Sequence, residues 1–353
     1  MRPATRPPER RSDARLLAID PRRATFHDAA IDDLPALLAP GDLLVVNDAA
    51  TLPASLPGRG PAGEAIELRL AASPLDGRAH AVLFGAGEWR TPTEARPPPP
   101  PLPVGATLHL GDPNAPLRAT LLAFDPRAPR LVEVAFEPAG AALWGALYAA
   151  GRPVQYSYLA DDLHLGSVQT AFAATPWAVE MPSAGRPLAW STLLALRRAG
   201  VRVAALTHAA GLSSTGDPAL DALLPLPERY AIPHATVAAI AEARARGGRI
   251  IAAGTTVVRA LEGCVAARGR LIAGEGVTDL RIETETTRHV VDAILTGMHG
   301  PGESHHELLT AFAPRGLLLA AWRHAADAGY LAHEFGDATL ILPDLPRAAS
   351  AAA

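Results

Sequence analysis

Apolar positions change their spacing along this chain, and the changes divide it. Residues 15–19 predict a short strand and residues 32–38 a short helix before Pro40-Gly41. Asp42-Leu43-Leu44-Val45-Val46 is then an apolar run ending in Asn47-Asp48, the pattern of a buried strand that delivers polar groups to a sheet edge. From about residue 60 to residue 138 the period shortens. Segments 65–71, 80–84, 107–110, 117–124 and 131–136 are separated by Pro, Gly and Asp turns, and no amphipathic helix intervenes. That pattern predicts a small all-β unit, sandwich or barrel. The Pro97–Pro101 run within it is expected to be a stiff surface loop rather than a partner-docking polyproline segment.

From residue 139 onward helical and strand periods alternate. Helices are expected at 191–199, 236–246, 257–267 and within 313–328, and strands at 201–206 and 249–253. Strand, turn, helix, strand is an α/β pattern with parallel pairing. The predicted fold is therefore α/β, with one α/β domain formed by both chain ends (1–59 and 139–353) and an inserted, small all-β, barrel-like domain at 60–138.

Composition narrows the chemistry. All 32 basic residues among the 353 are Arg, so a Schiff-base lysine and a P-loop lysine are both excluded. The single cysteine, Cys264, excludes a disulfide framework, a thiolate zinc site and a cysteine-ligated iron–sulfur cluster. A net charge of −4 argues against uniform polyanion binding but permits a local basic patch. The N-terminal arm (Arg2, Arg6, Arg10, Arg11, Arg15, Arg22, Arg23) is such a patch. It is expected to be a solvated tail, or a phosphate contact if the partner is a nucleic acid. With no apolar leader segment and no apolar run near the ~20 residues of a membrane span, a cytoplasmic enzyme without membrane contact is expected.

Four segments offer reactive groups. In Gly247–Arg259 a buried strand stops at Gly254, two hydroxyls follow (Thr255, Thr256), and a helix begins with Arg259 in its first turns. Free N–H groups and the positive dipole end suit a carboxylate, phosphate or ribose. The competing reading is an ordinary Thr N-cap. His208 ends a strand beside Gly211, as either a base or a merely hydrogen-bonded histidine. His299 through Glu307 hold three His and two Glu, but not at the spacing of a helical zinc motif, and residues 303–307 are expected to begin a helix. Gly336-Asp337 looks like a turn into a final strand.

Taken in order, Pro40 through Asp48, Gln169-Thr170, Pro182-Ser183-Ala184-Gly185, His208, Glu228 with Tyr230, Gly247–Glu262, Thr278-Asp279, His299 and Phe335–Ala338 resemble the S-adenosylmethionine:tRNA ribosyltransferase-isomerases of queuosine biosynthesis. The inserted β unit sits where that family carries a β-barrel. The resemblance implies transfer and isomerisation of the ribosyl part of S-adenosylmethionine onto 7-aminomethyl-7-deazaguanine in tRNA. The product is epoxyqueuosine, and adenine and methionine leave. It implies S-adenosylmethionine as a consumed cosubstrate, tRNA as partner, no metal, and a chain expected to act as a monomer. Such chemistry needs a base near C5′ beside the sulfonium and donors where charge develops on adenine. On the resemblance, the catalytic candidates are His208, His299, Glu228 and Asp48. The substrate-binding candidates are Asn47, Gln169, Thr170, Ser183, Gly185, Gly254, Thr255, Thr256, Arg259, Asp279 and Asp337.

The chain departs from the family pattern at defined points. Thr-Arg after Asn-Asp is Ala49-Ala50, and Tyr before Gln-Thr is Val168. Leu-His after Ala-Gly is Arg186-Pro187, His-Ser before Glu is Leu226-Pro227, and the Asn-Phe-His-Leu-Pro segment is Gly297 through Pro301. Two further readings stay open on these grounds: a paralogue using S-adenosylmethionine on another acceptor, and a catalytically inactive nucleoside- or RNA-binding protein. Without lysine, tRNA contacts fall to Arg, with the arm and Arg186 as the positions to test.

Overall fold

A computed structural model describes residues 1–112 and 117–346. Its centre is a nine-stranded sheet in the order Gly274–Thr278, Glu228–Ile232, Arg202–His208, Leu43–Asn47, Ile250–Ala253, Ala293–Gly297, Ala338–Ile341, Arg15–Asp20, Thr25–Ala30. Leu43–Asn47 lies in the middle because Leu43, Leu44, Val45 and Val46 bury both faces completely. Leu43 and Val45 pack with Ile240 and Ala243 of helix His234–Ala245 and with helix Thr255–Arg268. Leu44 and Val46 pack on the opposite face with Leu193 and Leu196 of helix Trp190–Arg198.

The expected parallel pairing holds for the four central strands, Arg202–His208 through Ala293–Gly297. The sheet as a whole is mixed, since Ala338–Ile341 runs antiparallel to Ala293–Gly297 and Glu228–Ile232 antiparallel to Arg202–His208. Long connections rather than hairpins join these pairs: helices Ser304–Leu309 and Arg315–Asp327 lie between the first two strands, and helix Pro218–Asp221 between the second two.

The all-β unit is a closed six-stranded antiparallel barrel of Ser55–Arg59, Ala65–Leu70, Arg78–Phe84, Thr107–Leu110, Arg118–Asp125 and Ala128–Glu137. Its interior, with Leu56, Leu68, Val82 and Leu108, is closed by Leu143 and Leu147 of helix Ala141–Ala150. Fully buried Arg69 and Arg96 share the Glu67 carboxylate against the Phe84 ring. The fold is thus α/β from both chain ends, with a β-barrel inserted.

The N-terminal arm is not a free tail. Arg2–Pro3 pairs in parallel with Leu331–Ala332, Ala4 is buried, and Arg11 donates to the Gln169 carbonyl at 2.6 Å. Backbone pairing supplies the order that its charge pattern does not predict. Arg186 is also buried, 4.8 Å above the Phe335 ring, and desolvation with help from Arg11 lowers its pKa to about 10. It offers no surface cation. Among the described residues no helix is long and apolar enough to cross a membrane.

Candidate active site between sheet and barrel

The carboxyl ends of the central strands open into a cavity of about 830 Å³, where ligands of open α/β sheets are held. Gly254–Thr256 and Thr296–His299 form the sheet side, and Trp89 and Thr91–Glu94 reach in from the barrel. Gly254 is the N-cap of helix Thr255–Arg268, with φ +101 and no side-chain cap bond. Thr255 is therefore the first helical residue and not a Thr N-cap. Glycine is required there because the backbone is left-handed and an added Cβ meets the Ala184 Cβ at 3.3 Å.

Behind this rim Arg259 forms a buried ion pair with Glu228 and donates from Nε to the Leu280 carbonyl at 3.2 Å. Its Nη2 is buried without a partner among the described residues. Glu228 Oε1 accepts the Gly211 N–H at 2.7 Å. Burial raises the Glu228 pKa, against the pull of Arg259. His208 lies beneath the pair, fully buried, with Nε2 3.4 Å from Glu228 Oε2 but neither ring nitrogen hydrogen-bonded. Desolvation, reinforced by Arg259, holds it neutral, well below the usual imidazole range.

On the other flank His299 lines the cavity. Its Nε2 is 3.0 Å from Thr296 Oγ1, its Nδ1 3.6 Å from Glu303, and its ring stacks on His305 at 4.8 Å. Burial drives His305 down to about 3, with His299 adding to the effect. Glu303 is lowered in spite of partial desolvation, because His299 stabilises its carboxylate. Helix Ser304–Leu309 begins where the Glu-rich start predicts.

The other candidates take several places. Ser183, Gly254, Thr255, Thr256, Arg259, Glu228 and His299 line the cavity together. Asn47 is a buried brace: its amide donates to the His208 carbonyl (3.0 Å) and Thr256 Oγ1 (3.2 Å), and its Oδ1 accepts the Ala49 and His208 N–H groups. Asp48 accepts from Thr207 Oγ1 at 2.7 Å, and burial raises its pKa. Gln169 clamps the Thr51 N–H and C=O, each at 2.9 Å. Thr170 is buried with its hydroxyl unpartnered, and Gly185 sits where a Cβ meets Phe172 at 2.8 Å. Asp279 is exposed. Asp337 accepts the Arg15 and Leu331 N–H groups at 2.7 and 2.8 Å, as a turn-forming Asp does. Asp48, Gln169, Thr170, Gly185, Asp279 and Asp337 are not part of the cavity lining.

Sequence reasoning missed one wall. Tyr156, Tyr158, Glu180, His333 and Glu334 all face the cavity. The Tyr156 hydroxyl donates to Glu180 and the Tyr158 hydroxyl to Glu334. Burial pushes Glu180 up to about 7. The only local signal was Tyr156-Ser157-Tyr158 in an unstructured stretch.

The family model described as queuosine biosynthesis protein matches residues 2–341. The S-adenosylmethionine:tRNA ribosyltransferase-isomerase of Sorangium cellulosum is 39% identical over 96% of this chain and 94% of its own length. That of Acidithiobacillus ferrooxidans is 36% identical over 98% and 95%. The crystal structure of S-adenosylmethionine tRNA ribosyltransferase from Thermotoga maritima superposes with a TM-score of 0.52 at 26% identity, covering 96% of each chain. With a family-model match along almost the whole length and relatives at this identity over nearly all of both chains, the chain belongs to the queuosine biosynthesis protein family.

Proposed function

We propose that this protein is an S-adenosylmethionine:tRNA ribosyltransferase-isomerase. It moves the ribosyl part of S-adenosylmethionine onto 7-aminomethyl-7-deazaguanine in tRNA to give epoxyqueuosine, with release of adenine and methionine. The observation that carries the reading is the match to relatives of that name over nearly the whole of both chains. The two other readings, a paralogue with a different acceptor and an inactive binding protein, have no comparable support.

In this reading the α/β body (1–59 and 139–353) holds the cosubstrate at the strand ends, and the inserted barrel (60–138) closes the cavity. The unpartnered Arg259 Nη2 and the helix start at Thr255 suit the cosubstrate carboxylate. Thr256 and Ser183 offer hydroxyls to ribose. Glu228 supplies negative charge near the sulfonium, and Asp48, held by Thr207, supports the site from behind the cavity lining. His299, at the cavity wall with Thr296 fixing one ring nitrogen, suits proton transfer at C5′. Neutral His208 underpins the Glu228–Arg259 pair. Gln169, Thr170, Gly185, Asn47, Asp279 and Asp337 shape or support the site from outside the cavity. The enzyme acts as a cytoplasmic monomer and requires no metal.

The test is incubation with S-adenosylmethionine, with and without tRNA bearing the aminomethyl-deazaguanine, followed by mass spectrometry of nucleosides and small molecules. Epoxyqueuosine in tRNA with matched adenine and methionine is expected. Turnover without that tRNA favours the different-acceptor reading. Tight binding without turnover favours the inactive one.

A further inference from the structure

Charge is unevenly balanced around the cavity. Glu228 faces Arg259, Glu303 faces His299, and Glu307 faces Arg315. Glu180 and Glu334 line the same space, yet among the described residues neither forms an ion pair with any Arg or His. Each is instead held by a tyrosine hydroxyl, Tyr156 on Glu180 and Tyr158 on Glu334. Two acidic side chains in a concave, poorly solvated site, neither paired with a cation, create a local demand for positive charge.

The same wall is a stacking surface. Tyr156 and Tyr158 are nearly parallel, 9° apart with centroids at 6.0 Å, and His333 continues the stack 4.4 Å from Tyr158. His333 reaches that place with φ +68, a left-handed conformation that a non-glycine residue adopts only at a cost. The indole N–H of Trp89, nine-tenths buried at the cavity edge, has no acceptor among the described residues. A ligand that satisfies all three features is a planar heterocycle with a hydrogen-bond acceptor on its edge and one cationic amine.

We propose that Tyr156, Tyr158, Glu180, His333, Glu334 and Trp89 form the acceptor-base subsite, taking the deazaguanine ring on the aromatic stack and its primary ammonium on the two carboxylates. The identity of the base rests on the function proposed above; the demand for a planar cation does not. S-adenosylmethionine also carries an amine and an adenine ring, but its ammonium sits beside its own carboxylate. Placed here, that carboxylate faces two acidic side chains with no paired cation, whereas Arg259 and the helix start offer it complementary charge elsewhere in the cavity.

Calorimetric titration of the full chain with free 7-aminomethyl-7-deazaguanine, its neutral 7-cyano analogue and S-adenosylmethionine tests the assignment. The wild-type protein is expected to bind the amine at least about tenfold more tightly than the nitrile, from one charge-assisted contact. Glu180→Gln/Glu334→Gln is expected to bring the two bases within about twofold while S-adenosylmethionine affinity stays within about twofold. Three results overturn the proposal: no amine preference in the wild-type protein, a preference that survives the double variant, or a comparable loss of S-adenosylmethionine affinity, which would place the cosubstrate cation here. The wild-type comparison decides even if the double variant fails to fold. Amine preference without tRNA modification would sink the proposed function and leave this subsite standing.

Discussion

Replacing Glu180 by Gln should make the protein more stable at alkaline pH. Burial holds the Glu180 carboxyl at about 7 in the folded protein, against 4.5 for the free group. Tyr156 and Ser213 hydrogen-bond the carboxylate and oppose the shift, while nearby Glu334 adds to it. A raised carboxyl pKa means that folding favours the protonated form. The stability associated with this group is complete below about 4.5 and is lost as pH rises through about 7. A displacement of that size corresponds to about 3 kcal/mol at full ionisation, and water at the cavity mouth reduces the expected cost to about 1–3 kcal/mol. Gln keeps an acceptor for the tyrosine hydroxyl and removes the titration. Urea midpoints measured at pH 5, 6, 7 and 8 should show wild type and variant close together at pH 5 and the variant ahead at pH 8. Parallel curves, or a variant weaker at pH 8, would refute the reasoning.

Glu228→Gln should leave the buried Arg259 charge unpaired and cost about 3–5 kcal/mol in urea unfolding, while Glu228→Gln/Arg259→Met recovers much of that loss. A double variant no more stable than the single one would contradict it. Asp337→Ala should orphan the Arg15 and Leu331 N–H groups and cost about 2–4 kcal/mol, with S-adenosylmethionine affinity unchanged by calorimetry. Lost affinity at full stability would instead move Asp337 into the site. Glu67→Gln should expose the mutual repulsion of Arg69 and Arg96 inside the barrel and cost about 3–5 kcal/mol by thermal unfolding; a change under about 1 kcal/mol would show that Phe84 and solvent already balance them.

What the chain announces in advance is what local periodicity can encode. Leu43–Asn47 was legible because burial on both faces writes a continuous apolar run, and helix Thr255–Arg268 because a glycine stop precedes it. Barrel strand Ser55–Arg59 escaped notice because Pro57-Gly58 interrupts it. Gly58 is there for close approach, since a Cβ would stand 2.4 Å from the His109 carbonyl oxygen. Thr25–Ala30 is an edge strand with little burial and no clean alternation. Tyr156 with Glu180 and Tyr158 with Glu334 lie 24 and 176 residues apart, in segments without regular structure. No sequence period links them; only the sheet and barrel meeting around one cavity brings them together.

Two departures from the family pattern lie at or near this cavity. Where the pattern has Tyr before Gln-Thr, this chain has Val168, which lines the cavity, and two tyrosines at 156 and 158 line it as well. The cavity therefore keeps aromatic surface at Tyr156 and Tyr158 without one at Val168. Where the pattern has Arg after Asn-Asp, this chain has Ala50, and a guanidinium appears at Arg186, stacked on Phe335 beside the Gln169 segment that Arg11 also contacts. Around the cavity the described residues thus retain both aromatic surface and a buried guanidinium.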